Sequence, residues 1–197
     1  MNEAFKRHIR VGLAAGVLCL ALLVIPALPQ GKAPSMRSST YYNSIKGEIQ
    51  AFESVLNKRL EQQFKHPLAI VDKPKGVYLY GYGALFTFLV NVNRASFKTP
   101  FGEHKIGELE TPEQKKQRIQ EVKEMVIKTL SDHAGALGQL SPRDFVVVVA
   151  HFEDNNELDE LKKNKTVIIR ASKKELDEHR AKPNYSEFRR RVEVLEY

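Results

Sequence analysis

The sequence holds a single cysteine, Cys19, and no tryptophan. One thiol excludes any disulfide within the chain and any zinc site built on cysteines, so the fold must be held by its apolar core alone. Histidines are few and scattered: His66, His104, His133, His151 and His179 lack the one-turn spacing of a metal-binding helix, and neither a metal nor a cofactor is expected. No Gly-x-Ser-x-Gly elbow, phosphate-binding loop or zincin helix is present. Internal repeats and low-complexity tracts are also missing. A strong excess of one charge is lacking as well. The 31 basic and 24 acidic residues give a formal net charge of +7, but Lys6, Arg7, Arg10 and Lys32 supply part of it and the remaining signs are interspersed. Such a mixed surface is a solvating one, and no nucleic-acid partner is expected.

What the chain does have is an uncharged run over residues 11–31, VGLAAGVLCLALLVIPALPQG, preceded by Lys6, Arg7 and Arg10 and closed by Lys32. Basic residues ahead of an apolar core are the pattern of a segment that enters a membrane with its basic end held in the cytoplasm. Two devices fit. Val11 to Ile25 has the length of a signal-peptide core, with Pro26 breaking the helix and Ala27 offering a small residue for cleavage. Counting on to Leu28 or Gly31 gives enough length for a retained single-pass anchor. Leu18 and Gly16 do not suit lipid attachment at Cys19. The segment therefore predicts export across the cytoplasmic membrane, with the remainder either tethered outside it or released to the periplasm. A disulfide-free exported chain suits a bacterial envelope.

Residues 29–40 (PQGKAPSMRSST) are rich in Pro, Ser and Gly and poor in large apolar residues, and residues 32–40 read as a tether. Residues 41–197 then have the length of one domain, roughly 160 residues, enough to bury a real core. Tyr42, Ile45, Ile49, Phe52, Leu56, Leu60 and Phe64 recur in steps of three and four, which predicts a long helix over residues 40–64. The stripe suits packing on the domain's own sheet, with a short coiled-coil seam, and hence a homo-oligomer, as the other use. His66-Pro67 ends the helix and residues 73–76 (KPKG) predict a turn. Residues 77–93 are β-branched and aromatic, with Gly81 and Gly83 marking either a bulge or a hairpin between 77–80 and 84–92. The second half has few polar positions, which predicts a central strand covered on both sides.

Thr111-Pro112-Glu113-Gln114 is a capping box with proline at the first helical position, predicting a helix to about Ala136. Residues 145–152 (FVVVVAHF) and 166–171 (TVIIRA) are strands, residues 157–163 suit a short helix, and Ser172 with Glu175 opens a helix over 173–181. The tail 188–197 reads as a final strand, with a short helix over 186–191 as the other reading. This order predicts an α+β fold: a two-layer sandwich with a mostly antiparallel sheet of about four or five strands and two long helices, preceded by the membrane segment.

Two surface motifs stand out as candidate binding residues. Strand alternation would place Tyr78, Tyr80 and Tyr82 on one face as an aromatic platform, the glycines allowing close backbone approach; burial beneath the first helix is the plainer alternative. Arg189, Arg190 and Arg191 form the densest basic cluster, suited to an anionic surface or acidic partner, or else a solvated face. Ser131-Asp132-His133 holds catalytic residue types, but neighbours in a helix point about 100° apart and cannot form a triad among themselves. The expected function is thus non-catalytic: an exported envelope domain that binds a protein or small ligand. The alternatives are a hydrolase assembled from Asp132, His133 or His151, and a structural oligomer formed through helix 40–64.

Overall fold

The computed structural model describes residues 39–64, 69–92, 96–105, 108, 110–154 and 165–197. The membrane segment, the tether and the expected helix 157–163 lie outside the described residues. Chain contacts separate Met1–Met36 from Arg37–Tyr197, and every described residue belongs to the second unit. Among the described residues no helix is long and apolar enough to cross a membrane.

The fold is α+β, with four helices and a five-stranded mixed sheet. In chain order, α1 (Ser39–Gln63) leads into β1 (Ile70–Leu79) and β2 (Gly83–Asn91). A separate hairpin of β3 (Ser96–Thr99) and β4 (Gly102–Lys105) follows, then α2 (Pro112–His133) with a 3-10 turn over Ala134–Ala136. β5 (Phe145–Glu153), β6 (Lys165–Ser172), α3 (Lys173–Ala181), α4 (Tyr185–Arg191) and β7 (Glu193–Glu196) complete it. The sheet order is β1-β2-β5-β6-β7. Three neighbouring pairs are antiparallel, while β2 and β5 run parallel. The chain between them must cross from one end of the sheet to the other, and α2 is that crossover.

The helix starts follow from their caps. Thr111 Oγ1 accepts from the Gln114 N–H at 3.2 Å and the Gln114 side chain accepts from the Thr111 N–H at 2.7 Å. Ser172 and Glu175 make the same reciprocal pair at the head of α3. Each pair satisfies two donors that helix geometry leaves without partners.

The apolar stripe of α1 (Ile45, Ile49, Phe52, Leu56, Leu60) is fully taken up by the domain's own core, so it does not remain as an exposed coiled-coil seam. It meets Ala84, Phe86, Phe88 and Val90 of β2, Val146, Val148, Ala150 and Phe152 of β5, and Val167, Ile169 and Ala171 of β6 in one core cluster. Val122, Val126, Ile127 and Leu130 of α2 join the same cluster, with Leu176 of α3 and Phe188 of α4. Full burial of each such side chain contributes about 1.5–3 kcal/mol, which is how a chain without disulfides holds together. The Phe52 and Phe86 rings lie 4.8 Å apart where α1 crosses the sheet. Gly76 makes that approach possible: a Cβ there would stand 2.6 Å from Ile49 Cγ2 and 2.5 Å from Phe86 Cε1. Its N–H donates to the Glu53 carboxylate at 2.5 Å.

Four sequence expectations need correction. Residues 73–76 are not a free turn but part of β1, where the register slips between Asp72 and Lys75. Pro74 is tolerated because β1 is an edge strand and owes no outward N–H to a neighbour. The β3–β4 hairpin was not expected. The tail divides into α4 and β7, so the short-helix reading holds for its first half. Finally, among the described residues the helices cover one face of the central strands β2 and β5: their even-numbered residues point to the helices, and their odd-numbered residues, of which Asn91 and Val147 are buried, face away from them.

Candidate functional site

The face turned away from the helices is built by strand alternation, since every second side chain of each strand points to it. Register fixes its rows, read from β1 to β7. One runs Val77, Leu85, Val147, Arg170, Glu193. The next runs Lys75, Thr87, Val149, Ile168, Leu195. Beyond it lie Asp72, Leu89, His151 and Thr166, with Tyr197 bonded to Thr166 through both backbone groups. Leu79 and Phe145 stand at the opposite end.

This surface is apolar at its middle and polar at its rim. Val77 is 47% exposed, Leu79 40% and Leu195 57%. Thr87 is exposed near the centre, Leu85, Leu89, Val149 and Ile168 are half-buried, and Val147 is buried. Contiguous apolar patches of this kind mark interaction surfaces more often than isolated exposed side chains do. One end is organised by aromatic and charged groups. The Tyr82 ring lies 5.8 Å from that of Phe145, and the Arg170 guanidinium stacks over Phe145 at 4.8 Å. Arg170 also grips the Glu193 carboxylate through Nε (3.0 Å) and Nη2 (2.6 Å). A hydrogen bond to the Tyr82 hydroxyl, and then the bonds to Glu193, hold the Arg170 pKa above its ordinary value.

The three tyrosines do not form one platform. Tyr78, one residue before the end of β1, faces the helix side, where its hydroxyl meets that of Tyr41 at 3.4 Å and its ring packs edge-on against it. Tyr80 lies in the hairpin turn, 54% exposed, and only Tyr82 reaches the open face. The cause is Gly81, whose φ of +75° turns the chain and ends the alternation. The hairpin reading of the two glycines is the correct one.

The arginine cluster is helical and each member is engaged within the domain. Arg189 clamps Glu124 of α2 through Nε at 2.9 Å and through Nη2. That bond holds the Glu124 carboxyl below the ordinary carboxylate range. Arg191 pairs with Glu178 at 2.8 Å and with Glu187, and Arg190 Nε donates to the Ser186 carbonyl at 3.4 Å.

Asp132 and His133 sit at the end of α2 beside Arg59, each 3.5 Å from its guanidinium. His151 lies on the other side of the sheet, with Nδ1 3.2 Å from Thr166 Oγ1. The fold does not bring the three together. It does pair Ser131 Oγ with His179 Nε2 at 2.8 Å beside an open cavity of about 480 Å³. In this pair His179 Nδ1 accepts from the Asn184 N–H at 3.3 Å. The ring proton therefore sits on Nε2 and is donated to Ser131, the reverse of what a serine nucleophile needs from its base. Among the described residues no group of three or more His, Cys, Asp or Glu side chains is placed to hold a metal.

Sequence reading missed the open face, although its signal was present. ALFTFLV and FVVVVAHF are apolar at both parities, which reads equally as a strand buried on two sides or as one buried on one side and sticky on the other. No family model, no curated protein and no solved structure matches this chain, so its site is defined by its own geometry.

Proposed function

We propose that this is a non-catalytic envelope protein, exported across the cytoplasmic membrane and tethered there through residues 11–31, whose domain is a two-layer sandwich that binds a protein through the open face of its sheet. The single observation that carries the binding role is that face: an apolar centre running from Leu79 and Val77 across Val149 to Leu195, ringed by Lys75, Asp72, Arg170 and Glu193. The charge pattern of the leader supports export, and the tautomer of His179 speaks against a serine-based hydrolase. The face takes over the role first given to the tyrosines, with Tyr82 retained at its end.

A photo-reactive residue placed at Thr87 in the intact, membrane-delivered protein tests the reading, with one at Lys58 on the exposed side of α1 as its counterpart. Adducts formed from Thr87 and not from Lys58 are expected. Equal labelling from both positions, or none from Thr87, would refute a binding role for the face. Extraction with alkaline carbonate checks the tether: the intact chain should stay with the membrane pellet.

A further inference from the structure

Between the N-terminal half of α2 and one end of the sheet lies a cavity of about 560 Å³, on the helix side and apart from the open face. We infer that it is a binding site for a phosphate monoester, held by Lys115, Lys116, Lys123 and Lys165.

Two periodicities bring these lysines together. On α2, residues 115, 119 and 123 follow one another at steps of four and so line one side of the helix, with Lys116 beside them. On the sheet, Lys165 opens β6 and Glu196 lies near the end of β7, opposite Val167. Strand alternation turns both toward the side of the core residues Val167 and Ile169, which is the side α2 covers. Asp154, just past β5, completes the ring of charges. Four ammoniums against two carboxylates leave two positive charges in one cavity.

The carboxylates hold the ammoniums in place without cancelling them. Glu196 receives Lys123 on Oε1 and Lys165 on Oε2, the latter at 2.5 Å. Lys115 donates to Asp154 at 2.7 Å. Each ammonium carries three N–H donors, so these bonds leave others to give. Lys116 is exposed and pairs with no carboxylate among the described residues. The side chains of Lys115 and Lys123 are only 21% and 15% exposed, so water screens their charges less than those of free surface lysines. Lys115 and Lys116 also stand near the end of α2 where the helix dipole is already positive, the less favourable end for a cation. An anion in the cavity relieves this repulsion and takes up the remaining donors.

The class of anion follows from charge and shape. A phosphate monoester carries about −1.5 to −2 at pH 7 and matches the two excess charges, whereas a single carboxylate would neutralise half of them. A planar carboxylate is held best by the fork of an arginine, and no arginine lines the cavity. Lysines act as point charges, which suits the three oxygens of a phosphate. Ile119, half-buried in the wall, offers an apolar contact to the carbon skeleton of the ester. Such a monoester is either a small soluble molecule or the headgroup of a phosphatidate.

The test is isothermal titration calorimetry of the full chain in an uncharged detergent at low salt, with glycerol 1-phosphate as the probe. A dissociation constant below about 1 mM is expected. Lys116→Gln and Lys165→Gln should each weaken binding about tenfold with unchanged circular dichroism, and Lys58→Gln on the exposed side of α1 should leave it unaltered. Repeating the titration with about a tenth of the detergent replaced by phosphatidic acid separates the two sources. Unchanged affinity assigns the site to a soluble monoester, and competition by the lipid assigns it to a headgroup. No heat of binding up to about 10 mM glycerol 1-phosphate would overturn the inference. So would equal binding by the natural chain, Lys116→Gln and Lys165→Gln, or succinate binding as tightly as glycerol 1-phosphate, the mark of an unselective basic patch.

Discussion

Gly81 and Gly83 look alike in the sequence, two residues apart in a Tyr-Gly-Tyr-Gly repeat, yet substitution by alanine should separate them sharply. Gly81 sits in the turn at φ +75°, and a Cβ there meets nothing within 4 Å. The only penalty is the left-handed backbone, about 1–2 kcal/mol. Gly83 opens β2 at φ +132°, a region nearly closed to residues with a side chain. Its Cβ would stand 2.0 Å from the Phe145 carbonyl oxygen and 2.6 Å from the Phe145 nitrogen. Those are backbone atoms of the neighbouring parallel strand, and the Phe145 N–H is already bonded to the Tyr82 carbonyl at 2.8 Å. Relief therefore requires β2 and β5 to part at this end. Backbone strain of about 1–3 kcal/mol adds to one or two hydrogen bonds at about 1 kcal/mol each. Gly83→Ala should then cost about 2–5 kcal/mol, a large part of the 5–15 kcal/mol typical of a domain. Urea unfolding followed by circular dichroism measures both variants. Equal losses for Gly81→Ala and Gly83→Ala, or a Gly83→Ala loss below about 1 kcal/mol, would refute the close approach of β2 to β5 on which the argument rests.

Other consequences are quicker to state. The Glu196 carboxyl is held below its ordinary value by hydrogen bonds from Lys123 and Lys165, the latter at 2.5 Å. A lowered folded-state pKa stabilises the fold above the ordinary carboxylate value of 4.5, and that contribution disappears as pH falls through the lowered one. Glu196→Gln should therefore be less stable than the natural chain at pH 7 and converge with it as pH falls through the lowered Glu196 pKa, read from urea midpoints. Thr111→Ala removes the side chain that receives the Gln114 N–H and should destabilise by about 1 kcal/mol, with circular dichroism reporting the loss at α2. Ser131, which accepts the His179 proton, should not react with a fluorophosphonate probe; labelling that is lost in Ser131→Ala would reinstate a hydrolase.

Much of the fold was legible because its signals are local. The capping boxes at Thr111 and Ser172 need only four residues each, and the α1 stripe needs only its own period. The hairpin at Gly81–Gly83 was one of two readings, and the positive φ at both glycines decides it. The parallel pairing of β2 with β5 was not legible, because it depends on where α2 carries the chain. Residues 73–76 misled for a similar reason. Pro and Gly punctuate a chain locally, but whether they break a strand depends on whether that strand lies at an edge, which only the assembled sheet decides.

The binding residues were harder, and for a definable reason. Residue type points to chemistry only if the side chain is left uncommitted, and commitment is a tertiary property. Arg189 and Arg191 have the chemistry of an anion site but are taken up by Glu124, Glu178 and Glu187. Tyr78 has the chemistry of a platform but is packed against Tyr41. The open face reverses the case, because Leu85, Val149 and Ile168 have the chemistry of a core but are only half-buried. Its exposure can nevertheless be argued from the helices. Those described bury one apolar stripe each into a single cluster, and that cluster draws on one parity of β2, β5 and β6. A sheet whose central strands carry apolar residues on both faces, with the described helices on one, leaves the other as the face from which a binding role is proposed.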